Sequence, residues 1–310
     1  MRSIVWQDDD RCAKLCENGQ ENSPSYSSPK STINDRLFWY NGNLICGSTL
    51  TLEITDPGWL YGATVFTTLR VYEKALHHPL THWIDHHNRL QTSIAAFGWQ
   101  DPDWQRLHQG AVTLIPHYPI LRITLFPDGR ELITGRFLPP DLEQRQQQGI
   151  TAGIADAPQF QRWLPTHKIG NYLGAWLALQ AARTQRAGEA ILVDECGNWL
   201  ETSTGNLWGW REGCWWTPPE KGILPGIGRS HAIECLRTQN QTVIEQPWTK
   251  EFAQTLETLA YTNSVVELVP IHTVTQLPRE HQPKETNPAM VSRYNPHHPS
   301  LTILRNLLRG

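Results

Sequence analysis

Residues 201–229 read ETSTGNLWGWREGCWWTPPEKGILPGIGR. Glu201 is followed five positions later by Asn206 in an apolar strand pattern, and two tryptophan-rich runs then lead to a Gly-rich turn opening a helix over about 228–237. An acid in so apolar a segment must lie at an exposed strand end or be paired, because burying a lone carboxylate is costly. The turn at 224–230, LPGIGRS, lets the backbone N–H groups of Ile227 and Gly228 face a phosphate at the helix N-terminus. Upstream, 201 − 168 = 33 residues before the acid, Lys168 sits in HKIGNYLGAW. A lysine taken alone is usually a solvated surface group. This one precedes an apolar, helix-forming run, and Tyr172 four positions on can hydrogen-bond a ligand hydroxyl. An amine whose pKa desolvation can lower, an acid able to face a ring nitrogen and a phosphate-binding helix start form one constellation.

Working outward, LFWYNGNLIC from Leu37 places Asn41-Gly42 between two apolar runs, which predicts a hairpin. Residues 65–72 are β-rich, and 81–97 repeat apolar positions at helical period. Strands are predicted over 120–126 and 131–137 around Pro127-Asp128-Gly129. These form a small domain over 36–140. DLEQRQQQG, 141–149, reads as a linker, and a larger domain over 150–310 carries a strand at 150–155, a helix at 172–186 and strands at 190–193 and 199–201. The fold class is α+β with mixed or largely antiparallel sheets, since hairpins abound. Residues 1–35, rich in Ser, Pro, Asn and charge, read as a flexible extension.

Composition narrows the function. A net charge of −3 with 18% charged residues leaves no basic stripe, so a small molecule rather than nucleic acid is the expected partner. No apolar run is long enough to span a membrane, the six cysteines form no CxxC framework, and the first residues lack a signal peptide's apolar stretch. Cytoplasmic location is the expectation. Arg89, in HHNRLQTS, can offer a bidentate cation to the phosphate. The histidines around it, His77, His78, His82, His86 and His87, invite a metal reading, but no Asp/Glu/His set recurs elsewhere at ligand spacing and no metal is expected.

DPGWLYGATVFTTLRVY, HHNRLQTS, LRITLF, HKIGNYL, ETSTGNLWGW, ILPGIGR and TNSVVELVP occur in the order found in fold-type IV pyridoxal phosphate enzymes, and over residues 36–275 the chain resembles that class IV aminotransferase family. Trp208, where the family usually has Phe or Tyr, and Gly228, where many members have Thr, depart from its pattern. The resemblance implies Lys168 as the Schiff-base lysine and Glu201 as partner of the ring nitrogen. It implies Arg89, Ile227, Gly228 and Ser264 as holders of phosphate and Tyr172 and Asn206 as supports of the cofactor. Tyr61, Phe66, Arg70 and Arg122 match positions on the substrate side, and a homodimer with a site completed by the partner subunit is implied too. VFTTLRVY looks like the family's lyase group, because many aminotransferases have a glutamate where Thr67 stands. The expected reaction is therefore that of 4-amino-4-deoxychorismate lyase, giving 4-aminobenzoate and pyruvate for folate biosynthesis. A branched-chain or D-amino-acid aminotransferase is the alternative, and a catalytically silent binding protein of the same fold is the non-enzymatic one.

Overall fold

The computed structural model describes residues 37–278 and 290–309, so the expected N-terminal extension lies outside the described residues. The first half builds a five-stranded sheet from β1 (Leu37–Tyr40), β2 (Asn43–Cys46), β3 (Val65–Arg70), β4 (Ile120–Leu125) and β5 (Glu131–Arg136). Its order is β2-β1-β5-β4-β3 and every pairing is antiparallel. The predicted hairpin is present: Asn41 and Gly42 both take positive φ, 45° and 87°, as a two-residue turn matched to strand twist requires.

A short turn of helix, α1 (Pro57–Leu60), precedes β3, and α2 (Trp83–Phe97) and α3 (Trp104–Leu114) pack against the sheet. Leu90 and Ile94 of α2 and Leu107, Ala111 and Leu114 of α3 join Leu69, Leu121 and Ile133 in one core. Helix α3 was not anticipated, although Asp103 caps it by accepting from Arg106 N–H and its three buried apolar positions lie at helical spacing. At Gly135 on β5 the Tyr118 ring lies flat on the backbone, and an added Cβ would sit 1.9 Å from Tyr118 Cδ2. Gly135→Ala is expected to displace that ring and cost about 1–3 kcal/mol, the usual range for overpacking. A shift of the denaturant midpoint at unchanged slope measures it.

The stretch read as a linker folds instead as helix α4 (Leu142–Gln148). Leu142 and Gln146, one turn apart, are both buried, and Gln146 Nε2 donates to Val266 O at 2.8 Å. Its glutamines spell a loop by composition but an anchored helix by spacing.

The second half holds β6 (Ile150–Ala155), α5 (Leu173–Thr184), β7 (Glu189–Val193), β8 (Trp199–Thr202), β9 (Asn206–Arg211), β10 (Cys214–Thr217), α6 (Ile227–Thr238), β11 (Val243–Glu245), α7 (Lys250–Gln254), β12 (Thr258–Asn263), β13 (Glu267–Gln276), β14 (Met290–Arg293) and α8 (Pro299–Leu307). The sheet runs β11-β10-β9-β12-β13-β6-β7-β8, with β14 beside β13. Three contacts, β13–β6, β6–β7 and β10–β11, are parallel and the rest antiparallel, so the expected α+β class with mixed sheets is what is found. Because β8 also pairs with β9 at Glu201↔Asn206, six strands close on themselves around a dry interior that includes Ile154, Ile191, Trp199, Tyr261 and Val269. Closure leaves those strands no open edge and sets Glu201 beside Asn206. Trp199, Trp208, Trp215 and Trp248 are fully buried. Trp208 is accommodated because its indole N–H donates to Thr262 Oγ1 at 3.1 Å.

Candidate active site

A cavity of about 360 Å³ opens between the two sheets, a volume suited to a small molecule. Ten of the twelve expected site residues line it: Phe66, Arg89, Arg122, Lys168, Tyr172, Glu201, Asn206, Ile227, Gly228 and Ser264. Tyr61 and Arg70 do not. Tyr61, at the end of α1, is 74% exposed. Arg70 turns its guanidinium to Glu267 Oε1 at 2.8 Å, where Tyr72 OH and Arg309 converge on the same carboxylate. Strand alternation puts Arg70 on the same face of β3 as Phe66 and Thr68, which line the cavity, but the Glu267 carboxylate draws its guanidinium away; Tyr61 lies before the strand.

Lys168 lies in the loop before α5, and the main chain fixes it there. Phe66 N–H donates to Lys168 O at 2.8 Å, Gly170 N–H donates to Thr64 O at 2.6 Å, and Val65 and Ile169 form an antiparallel bridge. The ammonium position is 5.0 Å from the Phe66 ring centre and 5.1 Å from that of Tyr172. Burial, then the guanidinium groups of Arg89 and Arg162, push the Lys168 pKa well below that of an ordinary lysine. The shift favours the uncharged form of the amine, the form that is nucleophilic and able to take a proton.

Glu201, on β8, is 3% exposed. Arg162 Nη1 donates to its Oε1, and Leu224 N–H donates to Oε2 at 3.2 Å. Asn206 Nδ2 donates to Leu224 O at 2.9 Å and lies 3.4 Å from Glu201 Oε2. Burial pushes the Glu201 carboxyl up, while Arg162, the Leu224 amide and Lys168 pull it back. Arg162 was not anticipated. It is a buried cation, held also by the carbonyls of Pro165 and His167, and its guanidinium lies 4.9 Å from the Tyr172 ring centre. Sequence spacing gave no sign of it, because it reaches Glu201 from a loop 39 positions away. Tyr172 is half-buried with its hydroxyl pushed up to about 12 by desolvation, so it is a hydrogen-bond donor at neutral pH.

The Gly-rich turn leads into α6 with Gly226 at its N-cap and no side chain capping it. The first bond of the helix is Ser230 N–H to Gly226 O, which leaves the N–H groups of Ile227 and Gly228 without helical partners. Gly226 permits the close approach of Asn206: a Cβ there would fall 1.8 Å from Asn206 Oδ1. Gly228 has nothing within 4 Å of where its Cβ would be, so the helix start faces open space. Arg89, on α2, donates to Pro225 O at 2.6 Å and so stands over the same turn. Ser264, in the turn between β12 and β13, completes this end of the cavity. The donors match a phosphate, the buried amine a carbonyl carbon, and the Glu201 carboxylate, which keeps lone pairs to spare, a protonated ring nitrogen. The residues therefore fit pyridoxal 5′-phosphate.

The sequence model of the amino-transferase class IV family matches residues 64–274. A putative branched-chain-amino-acid aminotransferase of Methanocaldococcus jannaschii is 30% identical over 135 residues, 43% of this chain and 46% of that one. A D-alanine aminotransferase of Bacillus licheniformis is 24% identical over 76% of this chain and 87% of its own length. Among solved structures, a hypothetical aminotransferase from Mycobacterium tuberculosis, in its α-ketoglutarate- and PMP-bound form, superposes with a TM-score of 0.72 at 18% identity, covering 88% of this chain and 97% of that one. The match from the strand before the cavity to the strand beyond Ser264 takes in every wall of the site, and the chain belongs to the amino-transferase class IV family.

Proposed function

We propose that this chain is a pyridoxal 5′-phosphate-dependent aminotransferase acting on a small amino acid of the branched-chain or D-amino-acid type. One observation carries the reading: Lys168, its pKa pushed down, shares a cavity with the paired Glu201 carboxylate and with a bare helix start fit for phosphate. The relatives favour this alternative over the lyase expected from the sequence.

Each residue takes one task. The N–H groups of Ile227 and Gly228, the Arg89 guanidinium and Ser264 would hold the phosphate. Glu201, kept in place by Arg162 and the Leu224 amide, would keep the ring nitrogen protonated, and the Tyr172 hydroxyl would be a donor to the bound cofactor. When bound, the cofactor supplies an electron-withdrawing ring that accepts charge from a carbon losing its proton. Lys168 Nζ accepts that proton and returns it. Arg122 lies 3.4 Å from the Phe66 ring centre, and its own pKa is lowered to about 10 by burial and by Arg136 rather than raised by a carboxylate. An entering substrate carboxylate is its natural partner.

Thr67, which motivated the lyase reading, is buried with Oγ1 2.5 Å from His86 Nδ1, while its neighbours Phe66 and Thr68 face the cavity. The threonine therefore acts through the packing of α2 rather than by touching substrate. Purified protein given branched-chain or D-amino acids with 2-oxoglutarate is expected to form glutamate and the matching keto acid. Release of 4-aminobenzoate and pyruvate from aminodeoxychorismate without any keto acid, and no transamination, would overturn the reading in favour of the lyase.

We also assign the chain two domains, one per sheet, and a homodimer. The exposed Trp59, Leu60 and Tyr61 of the α1 region, with Trp163, Leu164 and Trp176, supply apolar surface of the kind a second copy covers. No helix among the described residues is long and apolar enough to cross a membrane.

A further inference from the structure

A cluster of ligand-capable side chains lies outside the cavity, where the start of α2 meets α6. His82 caps α2 in the left-handed region, φ 51° and ψ 39°, without making a side-chain cap bond. Asp85 follows in the first turn, and His231 comes from α6. His231 Nε2 is 2.8 Å from Asp85 Oδ2, His82 Nδ1 is 3.8 Å from the same oxygen, and the two imidazoles stack with centroids 3.9 Å apart. One ligand atom from each residue lies within 4.8 Å of the others.

We propose that His82, Asp85 and His231 bind a divalent transition-metal ion of the zinc type, clasping α2 to α6. Two imidazole nitrogens and one carboxylate are a donor set that Zn²⁺ or Co²⁺ accepts and that Mg²⁺ and Ca²⁺, which take oxygen, do not. Ligands about 2.0–2.2 Å from a tetrahedral ion stand roughly 3.3–3.6 Å from one another, and the observed 2.8 and 3.8 Å bracket that spacing. The three side chains are 23%, 42% and 35% exposed, open enough for a hydrated ion to reach. A hollow of about 280 Å³, lined by Asp85 and His231 among others, leaves room for water as the remaining ligand. The sequence hid the set, because His231 is 146 positions from Asp85.

The clasp has a mechanical consequence. Asp85 precedes Arg89 by one turn of α2, and His231 follows Ile227 by one turn of α6. An ion joining the outer turns sets the separation of the inner ones, which on the reading above are the two sides of the phosphate cup. Metal binding itself does not depend on that reading.

The test uses the untagged, full-length protein with cofactor bound, freed of metal by a chelator and then titrated with Co²⁺, with Zn²⁺ followed by calorimetry. One equivalent of Co²⁺ is expected, with the visible bands of a tetrahedral or five-coordinate ion. His82→Ala, His231→Ala and the conservative Asp85→Asn are each expected to lower the affinity at least about tenfold, the smaller end of what even outer-shell changes cost. His117→Ala, at an exposed position elsewhere, keeps wild-type affinity. A wild-type protein that takes up neither ion, or variants that bind as well as wild type, would overturn the site. Cofactor release at the same rate with and without metal would overturn the clasp's coupling to the cup.

Discussion

Lys168→Ala is expected to lose turnover by at least about 10²–10⁴-fold, the share that a positioned proton-transfer group contributes, with further loss because among the described residues no other lysine lines the cavity. The variant should keep its fold, since the residue's position rests on main-chain bonds and the side chain it loses is a buried amine without a carboxylate contact. Two readouts separate this from a general loss of structure. Wild-type protein should show the visible absorbance of bound cofactor and lose it irreversibly to borohydride with the cofactor fixed to Lys168; the variant should show neither, at an unchanged melting temperature. A Lys168→Ala protein that still turns over amino acids at the wild-type rate would sink the assignment.

Changing Glu201 should be almost as damaging, and the structure alters how the experiment is best done. Glu201→Ala would strand Arg162, a buried cation, and breaking such a pair costs about 3–5 kcal/mol. Glu201→Gln keeps the shape and the hydrogen bond to the Leu224 amide but cannot hold a proton on a ring nitrogen. Its turnover is expected to fall about 10²–10³-fold, the cost of removing one preorganised electrostatic partner in a water-poor site. Arg162→Leu in the Glu201→Gln background should then restore stability without restoring rate. Wild-type turnover by Glu201→Gln would leave the carboxylate a structural role only.

The parts of the site that sequence revealed are those written in local chemistry. Glu201 and Asn206, five positions apart, become neighbours through a tight turn, and the LPGIGR turn declares its helix by its own glycines. What stayed hidden depends on contacts between distant segments. Arg162 belongs to a loop whose composition says nothing of a buried carboxylate, and His231 reaches Asp85 from a different helix. Arg70 runs the other way: resemblance matched it to the substrate side, and in the structure its guanidinium pairs with Glu267. Helix α4 was lost to composition, since a glutamine-rich stretch reads as solvent-loving until one glutamine is seen donating to the Val266 carbonyl in the interior.

The stitching of residues 168–170 to Thr64–Phe66 bears on how such a scaffold can diversify. Every link in that seam is peptide to peptide, so the location of position 168 is indifferent to which side chain stands there. Chemistry and placement are thus inherited separately. A descendant of this chain could discard its amine, or exchange the groups facing it, and still present an undistorted chamber of the same dimensions, which makes the seam a chassis on which new specificities, or silent binding proteins, can be tried without refolding the whole.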